Sequence, residues 1–243
     1  GHLVHELRLA TSQQEAQAWH ENRPDVAVMA PVATPLLVRG IGGAALSRLT
    51  TALAPLNLVP QQAGAVRAPA GAAASFRLAP GAAVGVALAT GDIEMTAVGT
   101  LTYVEGEELM AFGHPFMGFG QVEMPLTSAY IAAIVPNVQG SFKLGGSIAP
   151  IGTVTEDRPT CIGGVIGEAP PTIPSVFRIT DLSREAERTY RFQATRQGTL
   201  TPLIASMLLS GSIENAAGAD FEGVVTQRVA VGLRDGEEGD PLE

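Results

Sequence analysis

Cysteine is almost missing from this chain. Cys161 stands alone among 243 residues, so no intrachain disulfide can form, and the redox compartment stays open. Aromatic residues are scarce at 5% against 46% hydrophobic overall, which leaves Ala, Val, Leu and Ile to build the core. Basic residues are few as well: 15 Lys and Arg face 24 Asp and Glu, a formal net charge of −9. With no Lys/Arg cluster, a nucleic-acid partner and an anionic membrane surface are both disfavoured. No apolar run approaches the roughly 20 residues that span a bilayer, and no charged-then-apolar leader precedes the first elements. Gly1-His2 reads as a cloning remnant, so export is left open.

Punctuation, by contrast, is abundant. The 28 glycines and 17 prolines imply many turns. Thr11 to Asn22 predicts a short amphipathic helix with Ser12 and Glu15 as a capping pair. Pro24 to Val38 reads as extended, and Ala45, Leu46, Leu49, Ala52, Leu53 and Leu56 at helical spacing predict a helix from Gly43 to Ala54, stopped by Pro55. Ala63 to Ala74 is an Ala, Gly and Pro stretch, too poor in large apolar groups for a core layer and the best boundary. The expected organisation is an N-terminal α/β segment at 1–80 and a β-rich unit at 81–243. In the latter, strands are expected at Val84 to Leu88, Met95 to Val104, Leu109 to Phe112, Ile151 to Thr155, Cys161 to Ile166, Ser175 to Thr180 and Thr189 to Thr195. A helix entered through Thr201-Pro202 and a last strand from Phe221 to Leu233 follow. The fold class is mainly β with a few helices, a barrel or sandwich.

The chemistry concentrates between Gly99 and Gly120 (GTLTYVEGEELMAFGHPFMGFG). Alternating β-favouring residues, a Glu105-Gly106 turn and a second short strand make a hairpin, and Gly113 and Pro115 bracket His114 at its end. A second block, Ser141 to Gly167, reads as an Ile-Gly-Thr strand, a polar turn with proline and a Gly/Ile-rich strand. Asp157 in that turn is a candidate carboxylate for His114; its structural alternative is to cap the turn or pair with Arg158. Cys161 reads as a small buried residue, with a thiol nucleophile as the alternative. His2 and His5, three apart, have no further ligands near them, and Gly40-Ile41-Gly42-Gly43 and Gly163-Gly164 lack the Lys and Ser/Thr of a phosphate loop. Neither a metal nor a cofactor is expected.

These two blocks resemble the SpoIVB peptidase family, named after stage IV sporulation protein B, whose members place a Gly-His pair after a similar hairpin. Together they cover under a third of the chain. The resemblance implies a bacterial, chymotrypsin-like, two-barrel serine peptidase ancestry with protein or peptide substrates, in which His114 matches the general base. It also implies Asp181, after a strand, as the acidic position, and Ser210 as the nucleophile. The family's Gly-x-Ser-Gly-Ser-Pro stands here as Leu208-Leu209-Ser210-Gly211-Ser212-Ile213, within residues of helical pattern. Ser128, Ser141 and Ser147 are rival hydroxyls. Two functions follow: a SpoIVB-type peptidase, or a degenerate peptidase fold that serves as a protein-binding or assembly module.

Overall fold

The computed structural model describes residues 6–10, 13–23, 26–29, 33–64, 68, 71–135, 142–218, 223–226 and 228. The chain opens with two strand-helix-strand units. In the first, β1 (Leu7–Leu9), α1 (Gln13–Asn22) and β2 (Ala27–Met29) form a two-stranded parallel sheet. In the second, β3 (Thr34–Arg39), α2 (Gly43–Leu53) and β4 (Leu58–Gln62) pair in parallel again. After α2 the chain takes one 3-10 turn through Pro55, whose ring rules out another α-helical turn, and reverses at Asn57 with φ 54°. The capping pair expected for α1 involves Ser12, which lies outside the described residues.

A single-turn helix, α3 (Ala72–Ser75), leads into the mainly β body. Its strands are β5 (Ala83–Gly91), β6 (Glu94–Glu105), β7 (Glu108–Ala111), β8 (Gly120–Val135), β9 (Phe142–Asp157), β10 (Ile162–Ile166), β11 (Thr172–Asp181) and β12 (Ala186–Thr195), followed by α4 (Leu200–Ala217). Strand accounts for 50% and helix for 22%, which makes the class mainly β. The hairpin expected around Glu105-Gly106 is β6–β7, with Val104 opposite Leu109. The parts of the expected last strand that are described, residues 223–226 and 228, are not strand; Phe221, Glu222, Gln227 and 229–233 lie outside the described residues.

The large sheet runs β11-β12-β5-β8-β9-β10-β7-β6-β3-β4, and β5 also pairs with β6. That extra pairing closes a circuit of six antiparallel strands, β5-β8-β9-β10-β7-β6. The circuit has a physical consequence: each of its strands has both edges occupied over part of its length, which shields those stretches from pairing with another chain. The core contains Val84, Val86, Ala97, Leu101, Leu109, Ala111, Met124, Leu126, Val154 and Ile162, all nearly inaccessible to solvent. At about 25 cal/mol per Å² of apolar surface removed from water, such aliphatic burial drives the fold despite the lack of aromatics. Because β3 pairs with β6, the second strand-helix-strand unit belongs to the same sheet, and α2 and α4 pack on each other beside it.

Candidate functional site

His114 sits on the loop between β7 and β8. The loop begins with a reversal that strands do not tolerate: Phe112 and Gly113 both have positive φ, 76° and 75°. A phenylalanine in that region is strained, and two contacts hold it. Its N–H donates to the Thr100 carbonyl at 2.9 Å, and its ring lies over Gly99, where a Cβ would come within 2.1 Å of a ring carbon. Only glycine fits beneath that ring. The imidazole of His114 then packs against the Phe112 ring at 5.7 Å between centroids.

The orientation of the imidazole follows from one hydrogen bond. Nδ1 lies 2.7 Å from the Pro115 carbonyl oxygen, which can only accept, so Nδ1 is the protonated nitrogen. In the neutral ring the lone pair is therefore on Nε2, which has no hydrogen-bond partner among the described residues. That is the tautomer of a base or a ligand.

Asp157, at the end of β9, fixes the rest of the loop. Its carboxylate is completely buried and accepts four backbone N–H groups: Phe116 at 2.7 Å on Oδ1, and Met117, Gly118 and Phe119 at 2.8, 2.7 and 3.2 Å on Oδ2. Charge-assisted bonds of this kind are about twice as strong as neutral ones. The Thr34 hydroxyl, from β3, adds weak bonds to the Pro115 and Phe116 carbonyls at 3.4 Å each. Asp157 thus acts on His114 through the backbone. Of the structural alternatives for Asp157, the pairing with Arg158 does not occur: Arg158 Nε bonds Glu156 at 2.5 Å instead, and this contact holds the Glu156 carboxyl below its usual range.

The other sequence candidates lie elsewhere. Ser210 is half-buried within α4, which packs on α2, β11 and β12, and no hydrogen bond joins it to His114. Helical Ser210 therefore has no strained turn to aim its N–H groups at an oxyanion. Asp181 closes the β11–β12 hairpin, accepting from the Ser183 hydroxyl at 2.6 Å and from the Ser183 and Arg184 N–H groups at 3.0 and 3.1 Å. The Ser183 hydroxyl holds the Asp181 carboxyl below its usual value. Ser128 is buried and donates to the Ala149 carbonyl at 3.2 Å. Cys161 is half-buried just ahead of β10, and Ser141 lies outside the described residues. Among the described residues, no three His, Cys, Asp or Glu side chains come together as a metal would require, and no helix is long and apolar enough to cross a membrane.

Two further polar clusters were not legible from motifs. One joins β6 to β9: buried Glu94 pairs with Arg39 at 2.7 Å and accepts the Ser147 N–H at 2.8 Å, while the Thr96 and Ser147 hydroxyls share a 2.8 Å bond. Beside it, burial and the nearby Glu94 charge push the Tyr130 phenol up. The other is an open cleft of about 520 Å³ at the β3–α2 turn, bordered by Arg39, Gly40, Gly42, Gln62, Asp92 and Asn215. The α2 N-terminus beside it is already served internally, since Glu214 of α4 accepts the Ala45 N–H at 2.8 Å.

Models of known protein families give no match to this chain, and neither do curated proteins nor solved structures.

Proposed function

We propose that this chain is a SpoIVB-type serine peptidase-like domain that engages protein or peptide chains, with His114 as its base. The observation that carries the reading is the protonated Nδ1 anchored on Pro115, which leaves the lone pair on Nε2, on a loop pinned by Asp157. A general base must be oriented before it is useful, and here a backbone carbonyl fixes the tautomer, which is one of the two things the carboxylate does in a Ser-His-Asp triad. A circuit of six antiparallel strands supports the reading to the extent of one barrel, where the resemblance implies two.

The second reading, a degenerate peptidase fold used for binding or assembly, is favoured by one specific observation: Ser210, the position that matches the nucleophile, is in a helix and not bonded to His114. A fluorophosphonate probe separates the two. Covalent labelling of the folded chain that His114→Ala abolishes supports the peptidase. Folded protein that takes no label leaves the binding module as the function.

A further inference from the structure

The imidazole of His114 is oriented by a single peptide unit, the one joining Pro115 to Phe116. No described peptide bond is cis, so the C=O and N–H of this unit lie in one plane and point in opposite directions. The carbonyl accepts the His114 Nδ1–H at 2.7 Å, and the N–H donates to Asp157 Oδ1 at 2.7 Å. A plane anchored at its N–H alone can still rotate about that hydrogen bond and swing its carbonyl away from the ring. A second anchor on the carbonyl side prevents this, and the residue placed there is Thr34.

Thr34 is the first residue of β3, buried at 3% exposure, and its own N–H donates to the Asn57 carbonyl at 2.9 Å. Its hydroxyl lies 3.4 Å from the Pro115 carbonyl oxygen and 3.4 Å from that of Phe116, so one hydrogen is shared between two consecutive acceptors. A carbonyl oxygen has two lone pairs; Pro115 offers one to His114 and the other to Thr34. Each bond to the hydroxyl is long and individually weak. Their placement supplies what their strength does not, because a β-branched side chain has little χ1 freedom and a buried hydroxyl has these carbonyls, not bulk water, as its acceptors. Thr34 stands 81 positions before Pro115, on the far side of the Ala63 to Ala74 stretch where the sequence suggests a boundary.

We propose that Thr34 is a positioning residue for His114: by holding the Pro115 carbonyl in place it keeps the proton on Nδ1 and the lone pair on Nε2. It acts only through the Pro115–Phe116 peptide, as the partner of Asp157 at the other end of the same plane. The inference rests on the reading of His114 as a base, and it makes the β3-α2-β4 unit part of that site.

Imidazole nitrogen NMR spectra test this. Recorded at alkaline pH, where histidine rings are neutral, they report which nitrogen carries the proton, and His114→Gln identifies the His114 signals. The wild type should show Nδ1–H. Thr34→Val keeps the branched shape and removes the hydroxyl; it should lower the ratio of Nδ1–H to Nε2–H at His114 by about threefold or more, the size expected from losing one hydrogen bond. Thr34→Ser returns the hydroxyl and should restore the ratio. Thr96→Val removes another buried threonine hydroxyl, in β6, and should leave the ratio unchanged, which separates positioning from a general loss of stability. If Thr34→Val does not fold, Thr34→Ala asks the same question. An unchanged ratio in folded Thr34→Val overturns the proposal, as does a Thr34→Ser that fails to restore it or a Thr96→Val that lowers it as much. A wild type with its proton on Nε2 overturns the base reading together with the proposal, whereas an unresponsive Thr34→Val overturns the proposal alone.

Discussion

A buried carboxylate with four N–H donors is an expensive group, and its value lies in what it orders. Asp157 takes the place of a turn of regular structure for the chain after His114: Phe116 to Phe119 have their amides converging on one side chain, with no ladder to use. Replacing it with asparagine keeps the shape and removes the charge. The asparagine oxygen can serve the three donors now on Oδ2, but its amide group then faces the Phe116 N–H, donor against donor. The expected loss is about 2–4 kcal/mol, from weakened charge-assisted bonds plus one buried unpaired donor. Urea denaturation of Asp157→Asn against wild type measures it, and a loss below about 1 kcal/mol would mean that the charge of Asp157 does not hold the His114 loop. The residue was visible in the sequence but its partners were not. A Thr-Glu-Asp-Arg-Pro string suggests a turn cap or an ion pair with Arg158, because only side chains can be read from letters; the donors Asp157 uses are backbone groups about forty positions away. His114 was legible for the opposite reason, since Gly113 and Pro115 advertise the end of a strand.

Among the elements, those whose hydrophobic pattern matches one environment were easiest to read. The β6–β7 hairpin and the α2 and α4 helices all fall where the pattern puts them. β8 did not announce itself, because bulges between Gln121 and Met124, Leu126 and Thr127, Ser128 and Ala129, and Ile131 and Ala133 repeatedly shift its register and scramble the alternation. The same strand changes surroundings along its length, buried from Met124 to Ala129 and exposed from Ile131 to Ile134. Its partner β9 is tied to β6 through Ser147 and through the Lys143 ammonium, which donates to the Thr100 hydroxyl, and this second contact makes the hairpin sensitive to pH. Burial holds the Lys143 ammonium below its usual value. The folded chain therefore releases this proton at lower pH than the unfolded chain, whose lysine titrates near about 10.4. Between those two values the unfolded state binds more protons, so Lys143 makes stability rise with pH. Lys143→Met removes that contribution. The wild type should gain on the variant in urea midpoint as pH is raised from neutral towards the usual lysine value; a constant difference across that range would mean that Lys143 titrates as in water.

For the whole molecule, the circuit of six strands decides how stability is distributed. In an open sheet an end strand can peel away at the cost of one ladder, whereas in a closed circuit removing any strand breaks two. The appended pieces lack this protection. Within the sheet β3-α2-β4 joins through the single β3–β6 ladder, β11 pairs with no strand but β12 among the described residues, and β1-α1-β2 is a two-stranded parallel sheet whose Leu7 and Leu9 remain 60% and 71% exposed. Two strands alone are marginal in water, and parallel pairs are slightly weaker per residue than antiparallel ones. Native-state hydrogen exchange should therefore divide the chain into tiers. Amides of β5, β6 and the Leu126–Ser128 part of β8 should exchange only by global unfolding, with a common dependence on denaturant. Those of β11 and β4, at the ends of the sheet, should open at lower free energy, and those of β1 and β2 first of all. The ranking follows from the pairing order alone, so it is testable without knowing any ligand. Finding β1 and β2 as protected as β6 would mean that the exposed Leu7 and Leu9 are covered in solution, and that the first strand-helix-strand unit belongs to a larger sheet than the described residues contain.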